Sequence, residues 1–263
     1  MPVDMNASTP VIELRGLEKS FGRQQVLAGV NLTLHRGETM VIIGASGGGK
    51  SVILKHCIGL LQPDGGEVLV DGKVISSRNF MDVQIIRRRM GMLFQSSALF
   101  DSMNAGENIK FAVREHNPAM TESQLDDMVE EKLKLIHLSP DIRTKMPGEL
   151  SGGMKKRLGL ARAIAMNPEI LLYDEPTTGL DPITADVIND LILDMQKTLG
   201  VTSLVVTHDM VSAYKVAYRI AMLHEGCIIF TGTPDEIRTT SNPHVQRFIG
   251  TPVGANGRSP LRG

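Results

Sequence analysis

The feature that most constrains this chain is a glycine-rich loop between two regular elements. Residues 44–51 read G-A-S-G-G-G-K-S, which fits the pattern G-x-x-x-x-G-K-[ST]. The wholly apolar run 40–43 before the loop predicts a strand buried on both faces, and residues 52–60 after it predict a helix. Such a loop turns backbone N–H groups toward a phosphate chain, and the helix N-terminus adds the positive end of its dipole. Lys50 would then contact the terminal phosphates, and the Ser51 hydroxyl would bind magnesium.

A second apolar run, 170–173, ends at the adjacent acids Asp174 and Glu175. A strand of this kind would deliver both carboxylates to its carboxyl end, where Asp174 would hold magnesium and Glu175 would act as general base toward water. The alternative interpretation is a solvated turn. The position of the pair downstream of Lys50 favours the catalytic interpretation.

A third segment, Leu-Ser-Gly-Gly-Met at 150–154, resembles the LSGGQ signature motif of the ABC ATPase family. Its Ser151 stands 101 residues after Lys50 and 23 before Asp174. The remaining motifs of the family occur in its order: Phe21, Gln95 in a Met-Leu-Phe-Gln context, Gly179-Leu180-Asp181, and His208. The resemblance covers residues 11 to about 235 and implies the P-loop ABC ATPase fold, an α/β fold with a RecA-like core, an antiparallel β subdomain and a helical subdomain insertion.

The resemblance also implies a role for individual side chains. Phe21 would stack on adenine, with a core aromatic near Leu17 and Val26 as the alternative. Gln95 would contact magnesium and the attacking water and sense a transmembrane partner, or else be an ordinary surface residue. His208 would contact the γ-phosphate and help to hold the water, or else be a buried structural histidine.

The implied site is larger than these few residues. The implied nucleotide-binding residues are Phe21, Gly44, Ala45, Ser46, Gly47, Gly48, Gly49, Lys50, Ser51, Val52, Ser151, Gly152, Gly153 and Asp181. The implied metal ligands are Ser51, Gln95 and Asp174, and the implied catalytic residues are Glu175, His208 and Gln95. The ligands would be ATP and Mg²⁺. In this family the signature motif closes over the γ-phosphate of the opposite subunit, so a chain with one set of motifs implies a head-to-tail homodimer.

The domain organisation follows from the pattern of elements. Strand–helix alternation is interrupted by a helical stretch, and we expect one ATPase domain over 10–250 with its helical subdomain at about 100–165. Residues 1–9 are expected to be a flexible leader and residues 251–263 a flexible tail.

Helical spacing gives the insertion two faces. Val129, Leu133 and Ile136 would lie on its apolar face. The polar face would carry Glu130, Glu131, Lys132 and Lys134.

Charge and hydropathy exclude several classes of protein. Lys and Arg number 28 against 29 Asp and Glu, so the basic excess typical of a dedicated nucleic-acid binder is missing. The basic run 87–89 is interpreted as a solvated strand edge rather than a nucleic-acid patch. No apolar run approaches the about 18 residues of a membrane-spanning helix, since Arg219 interrupts one of the most apolar segments. Cys57 and Cys227 stand alone, which disfavours a disulfide or zinc site and fits a reducing cytoplasm.

Within the ABC family, spacing separates three classes. ATPases of DNA repair and chromosome organisation carry a long coiled coil between the P-loop and the signature motif, but only 101 residues separate Lys50 from Ser151 here. Translation-associated members carry two cassettes, and this chain carries one. The remaining class is the energising subunit of a transporter, which implies a separate integral-membrane permease whose coupling helix docks beside the Gln95 segment.

Met154, in place of the common Gln, points to a transported substrate. The LSGGM form resembles ATPases of Mla-type phospholipid transporters, as do the segments 181–184 and 242–248. This resemblance implies phospholipid movement between inner and outer membrane, an MCE-domain lipid-binding partner, a STAS-domain subunit, and a peripheral location on the cytoplasmic face of the inner membrane. The alternative is an importer of a polar small solute, in which Met154 is a neutral replacement.

Overall fold

The computed structural model describes residues 10–75 and 80–250. The expected leader and tail lie outside these residues. The strands are β1 Pro10–Phe21, β2 Gln24–His35, β3 Thr39–Ile43, β4 Gly65–Val70, β5 Lys73–Val74, β6 Met90–Leu93, β7 Ile170–Asp174, β8 Thr202–Thr207, β9 Arg219–His224 and β10 Cys227–Gly232. The helices are α1 Lys50–Cys57, α2 Phe80–Arg88, α3 Ala105–His116, α4 Glu122–Leu135, α5 Gly152–Ile164, α6 Pro182–Leu199, α7 Met210–Val216, α8 Pro234–Thr239 and α9 Pro243–Ile249, with 3-10 turns at Pro140–Thr144 and Pro147–Glu149.

The strands form two sheets. The larger has the order β10-β9-β3-β8-β7-β6 and is parallel except for β10, which runs antiparallel to β9. The smaller sheet, β2-β1-β4-β5, is antiparallel throughout. The expected α/β fold with an antiparallel β subdomain is confirmed.

Strand β3 lies in the interior of the larger sheet and is buried on both faces, as its apolar run predicts. Met40 and Ile42 pack into the core that contains α1, whereas Val41 and Ile43 pack into the core that contains α5 and α6. This alternation anchors β3 in both cores, and the glycine-rich loop begins directly after it.

The helical insertion is built largely as its periodicity predicts. Val129, Leu133 and Ile136 are all buried. Lys132, however, was wrongly placed on the polar face, because it is 1% exposed. Its Nζ lies 2.7 Å from Asn167 Oδ1 and 2.9 Å from Glu131 Oε1, so one polar partner comes from the same helix and the other from the segment before β7.

The prediction of a strand edge at 87–89 is wrong as well. Arg87 and Arg88 end helix α2, and Arg87 donates hydrogen bonds to backbone carbonyls of residues 58 and 59. Arg89 forms ion pairs with Asp71 at 2.6 Å and with Glu169 at 2.7 Å. These contacts tie the smaller sheet to the amino end of β7.

The Glu169 ion pairs predict a pH-dependent contribution to stability. Hydrogen bonds from Arg89, followed by Arg36, lower the pKa of Glu169 from 4.5 to about 2. Because the folded-state pKa is depressed, the contribution is full above about pH 4.5 and is lost as the pH falls toward 2. We expect Glu169→Gln to cost about 1 kcal/mol or less at pH 7, since the pair is half-exposed, and less at pH 3. Thermal unfolding at both pH values measures this, and an equal difference at both would contradict it.

Arg219, which interrupts the apolar segment, has a buried partner. Its guanidinium donates two hydrogen bonds, at 2.7 and 2.8 Å, to the Glu38 carboxylate, whose side chain is 0% exposed. We expect Arg219→Met to destabilise the chain by about 3–5 kcal/mol, because it leaves a buried carboxylate without its cation. The double variant with Glu38→Leu should recover much of this loss. Denaturant unfolding measures both, and a cost below about 1 kcal/mol would contradict the argument.

Within residues 10–75 and 80–250, no helix is long and apolar enough to cross a membrane.

Candidate active site

Four of the predicted site segments each follow a strand of the larger sheet. The glycine-rich loop follows β3, Gln95 lies two residues after β6, Glu175 follows β7, and His208 follows β8. These strands are parallel, so their carboxyl ends meet at one edge of the sheet, the place where open α/β sheets bind ligands.

The carbonyl groups of the glycine-rich loop accept hydrogen bonds from Lys50. Gly44 has φ 155°, and a Cβ there would lie 2.5 Å from the carbonyl oxygen of Leu223, so a side chain is excluded. Lys50 begins α1 and is buried, and its Nζ donates to the carbonyl oxygens of Gly44 at 2.8 Å and Ala45 at 3.1 Å. The lysine charge thus lies inside the loop that the sequence assigns to phosphate binding.

Ser51 and Asp174 meet as predicted. The Ser51 hydroxyl donates to Asp174 Oδ1 at 2.6 Å. Burial raises the pKa of Asp174, the Ser51 hydrogen bond opposes this, and the charge of Glu175 adds to it. Two hard oxygen donors beside a phosphate loop suit Mg²⁺, which binds through one or two protein oxygens together with substrate phosphates. Among the residues that the structure describes, no group of three or more His, Cys, Asp or Glu side chains could hold a metal ion.

Glu175 lies at the centre of the side-chain contacts. Its Oε1 is 3.4 Å from Lys50 Nζ, and its Oε2 is 2.8 Å from His208 Nδ1 and 3.0 Å from the Thr178 hydroxyl. Its backbone has φ 49°, a left-handed conformation that costs a non-glycine residue about 1–3 kcal/mol. Strain of this size is retained where surrounding contacts fix a side chain in place, and here they fix the carboxylate between the Lys50 and His208 side chains.

The signature segment lies at the start of α5. Ser151 is its N-cap and accepts a hydrogen bond from the Met154 backbone N–H at 3.3 Å. A Cβ at Gly153 would lie 2.4 Å from Thr184 Cγ2, so glycine permits the close approach of α5 to α6. Ser151 and Gly152 are exposed, and in the described part of the chain no hydrogen bond joins residues 151–153 to residues 44–51.

Phe21 and Asp181, which are also predicted to bind the nucleotide, each have contacts of their own. Phe21, at the end of β1, is 48% exposed, and Lys19 Nζ lies 5.7 Å from its ring centroid. Asp181 is the N-cap of α6, where its carboxylate accepts from the backbone N–H groups of Ile183 and Thr184. The Thr184 hydroxyl bond lowers the pKa of Asp181. The roles of Phe21 and Asp181 toward a nucleotide stay predictions.

Sequence reasoning missed Thr178 and Lys156. Thr178 follows the acidic pair by a few residues and contacts Glu175. Lys156 is buried on α5, and its Nζ donates to the backbone carbonyl oxygens of Gln95 and Glu175. Its spacing after the buried Gly153 and before the buried Leu160 could have placed it on the inner helix face.

A phosphate loop after an interior parallel strand, with a buried acid two strands away that contacts the loop serine, defines a P-loop nucleoside triphosphatase. The family model described as "ABC transporter" matches residues 27–178, and the chain belongs to that family. It is an ATP-binding cassette, and the cassettes of this family hydrolyse ATP.

Three related proteins align with this chain over more than nine tenths of its length. The chain is 42% identical over 249 residues to the "Probable ribonucleotide transport ATP-binding protein mkl" of Mycobacterium leprae, spanning 94% of this chain and 71% of the relative. It is 41% identical to the "Protein TRIGALACTOSYLDIACYLGLYCEROL 3, chloroplastic" of Arabidopsis thaliana, spanning 92% and 74%. It is 36% identical to the "Intermembrane phospholipid transport system ATP-binding protein MlaF" of Escherichia coli K12, spanning 91% and 88%.

Solved structures show the same fold. A dimeric ATP-binding cassette in a post-hydrolysis state, bound to ADP and Pi, superposes with a TM-score of 0.78 at 32% identity. The match covers 84% of this chain and 98% of that cassette. The expected P-loop ABC ATPase fold is confirmed.

Proposed function

We propose that this chain is the energy-coupling subunit of a transporter that moves phospholipids between two membranes. The proposed role in ATP hydrolysis rests on the position of Glu175 between Lys50 and His208 at the carboxyl ends of the strands. The phospholipid part rests on the similarity to MlaF over 91% of this chain and on the LSGGM segment at 150–154.

The proposed mechanism uses this chain's own residues in named roles. Backbone N–H groups of residues 44–51 and Lys50 bind the phosphates of ATP, and Phe21 stacks on adenine. Glu175 accepts a proton from the attacking water, and His208 and Gln95 hold that water in line with the γ-phosphate. Mg²⁺, held by Ser51, Asp174 and Gln95 with the phosphates, would supply compensation for the charge that develops on them.

A complete site is proposed to need two copies of the chain. Ser151 and Gly152 are exposed and make no described hydrogen bond to the phosphate loop of their own chain. Apposed head to tail, the signature segment of one copy would face Lys50 of the other. The dimeric cassette among the solved neighbours supports this arrangement.

The permease is proposed to dock beside Gln95. A cavity of about 220 Å³ lies between the parallel sheet and the helical insertion. Its lining includes Arg87, Arg88 and Arg162 together with Phe94 and Met166, so it offers both positive charge and apolar surface to a partner helix. Through this partner the chain would be a peripheral subunit on the cytoplasmic face of the inner membrane. An MCE-domain lipid-binding protein and a STAS-domain subunit complete the proposed assembly, and no nucleic acid takes part.

A second candidate is the ATPase of an importer for a polar small solute. The similarity to the probable ribonucleotide transport protein mkl, at 42% identity, favours this alternative. The two functions differ in what the intact complex carries.

The experiment is to purify the native complex through a tag on this chain and identify its proteins and extracted ligands by mass spectrometry. The phospholipid proposal expects a multi-span permease, an MCE-domain protein and bound phospholipid. A binding protein for a polar solute, with no phospholipid above the level of a mock purification, would contradict it and support the importer.

A further inference from the structure

Lys156 is a buried cation that the mechanism above does not use. Its side chain lies on the first turns of α5, and the residue is 5% exposed. Burial lowers its pKa, and the charges of Asp174 and Glu175 oppose that shift. Placing an ammonium group in such surroundings is costly unless its donors are satisfied. Among the described ion pairs none involves Lys156, so backbone oxygens must satisfy it.

The two oxygens that satisfy Lys156 belong to the candidate site. Its Nζ donates to the carbonyl of Gln95 at 2.5 Å and to the carbonyl of Glu175 at 3.3 Å. These carbonyls follow β6 and β7, two neighbouring strands. One ammonium group therefore joins α5 to Gln95, two residues after β6, and to Glu175, directly after β7.

We infer that Lys156 is a positioning residue that holds Glu175 in its reactive orientation and links it to Gln95 and α5. The inference rests on the proposed role of Glu175 as general base. Glu175 has φ 49°, and a hydrogen bond to its carbonyl restrains the adjoining peptide plane. With that plane held, the carboxylate stays between Lys50 and His208.

The Lys156 hydrogen bonds connect the surface proposed for the permease to Glu175. Gln95 lies next to Phe94, which lines the cavity proposed for the permease, and its carbonyl shares the Lys156 ammonium with Glu175. A displacement of the Gln95 segment or of α5 thus reaches Glu175 through a single hydrogen-bonded group. Positional changes of about 1 Å at a reacting group cost about 10²-fold in rate, so a link of this kind is sufficient to control turnover.

The test is steady-state ATP hydrolysis by the full chain with ATP and Mg²⁺. Lys156→Met retains the length of the side chain but removes its donors, and we expect kcat to fall about 10²-fold with KM for ATP within about twofold of the parent. Lys156→Arg retains a cationic donor and should recover most of kcat. Lys155→Met, at the neighbouring half-buried position of the same helix, is the matched control and should leave both constants near those of the parent.

Several outcomes would overturn the inference. They are a kcat of Lys156→Met within about twofold of the parent, a rise of KM that accounts for the loss, or a Lys156→Arg variant no better than Lys156→Met. If Lys156→Met does not fold by circular dichroism, Lys156→Gln takes its place: its amide is shorter and neutral, so kcat should stay below that of Lys156→Arg, and a parent-like kcat would contradict the inference. The Glu175→Gln variant separates the two hypotheses. Turnover in that variant contradicts the base, whereas parent-like turnover in Lys156→Met beside an inactive Glu175→Gln contradicts only the positioning role.

Discussion

Replacing Glu175 with Gln is expected to reduce steady-state ATP hydrolysis by about 10²–10⁴-fold while ATP still binds. The amide has nearly the shape of the carboxylate, but it does not accept a proton from water. It also removes a negative charge beside Lys50 and His208. Because the nucleotide then persists, ATP-dependent dimers should accumulate.

Phosphate release and analytical ultracentrifugation, performed on the same preparation, measure both effects. Glu115→Gln is the matched control, since Glu115 is exposed on α3, remote in sequence from the acidic pair. Substantial turnover in Glu175→Gln would remove Glu175 from the role of base. Lost turnover without ATP-dependent dimers would contradict the two-chain site.

Lys50→Ala should fail one step earlier, at productive nucleotide binding. The substitution deletes the charge that the loop holds at its centre, and hydrogen bonds to charged groups are worth about 1.5–3 kcal/mol. We therefore expect ATP affinity to fall about 10- to 100-fold and hydrolysis to be lost. Equilibrium binding of a fluorescent ATP analogue measures the first effect, with the exposed Lys73→Ala as control. Parent-like affinity and turnover would contradict the phosphate-binding assignment of residues 44–51.

The chemistry of the site could be predicted from sequence because it lies in short contiguous segments. A phosphate loop needs glycines, a lysine and a hydroxyl at fixed spacing, and Gly44, Lys50 and Ser51 supply them. The contact between Ser51 and Asp174 also followed, since parallel strands bring their carboxyl ends to one edge.

The buried charges could not be predicted in the same way. Lysine is typical of an exposed helix face. Lys132 and Lys156 are nevertheless buried, and a polar partner from a distant segment accepts a hydrogen bond from each ammonium group. For Lys132 this partner is the Asn167 side chain, and for Lys156 it is the Gln95 carbonyl. Helical spacing places Lys156 on the inner face of α5, but the partner of each lysine depends on tertiary packing and is not encoded in the local sequence. Arg89 is the same case on the surface, where Asp71 follows β4 and Glu169 precedes β7.

Reconstitution tests most directly whether hydrolysis at this site drives phospholipid movement, as we propose. The purified complex of this chain with its permease is placed in vesicles that contain fluorescent phospholipid, and transfer to an acceptor is followed with and without ATP. We expect ATP-dependent transfer by the parent complex and none by the complex with Glu175→Gln. Transfer that is indifferent to ATP, or equal in the two complexes, would contradict it.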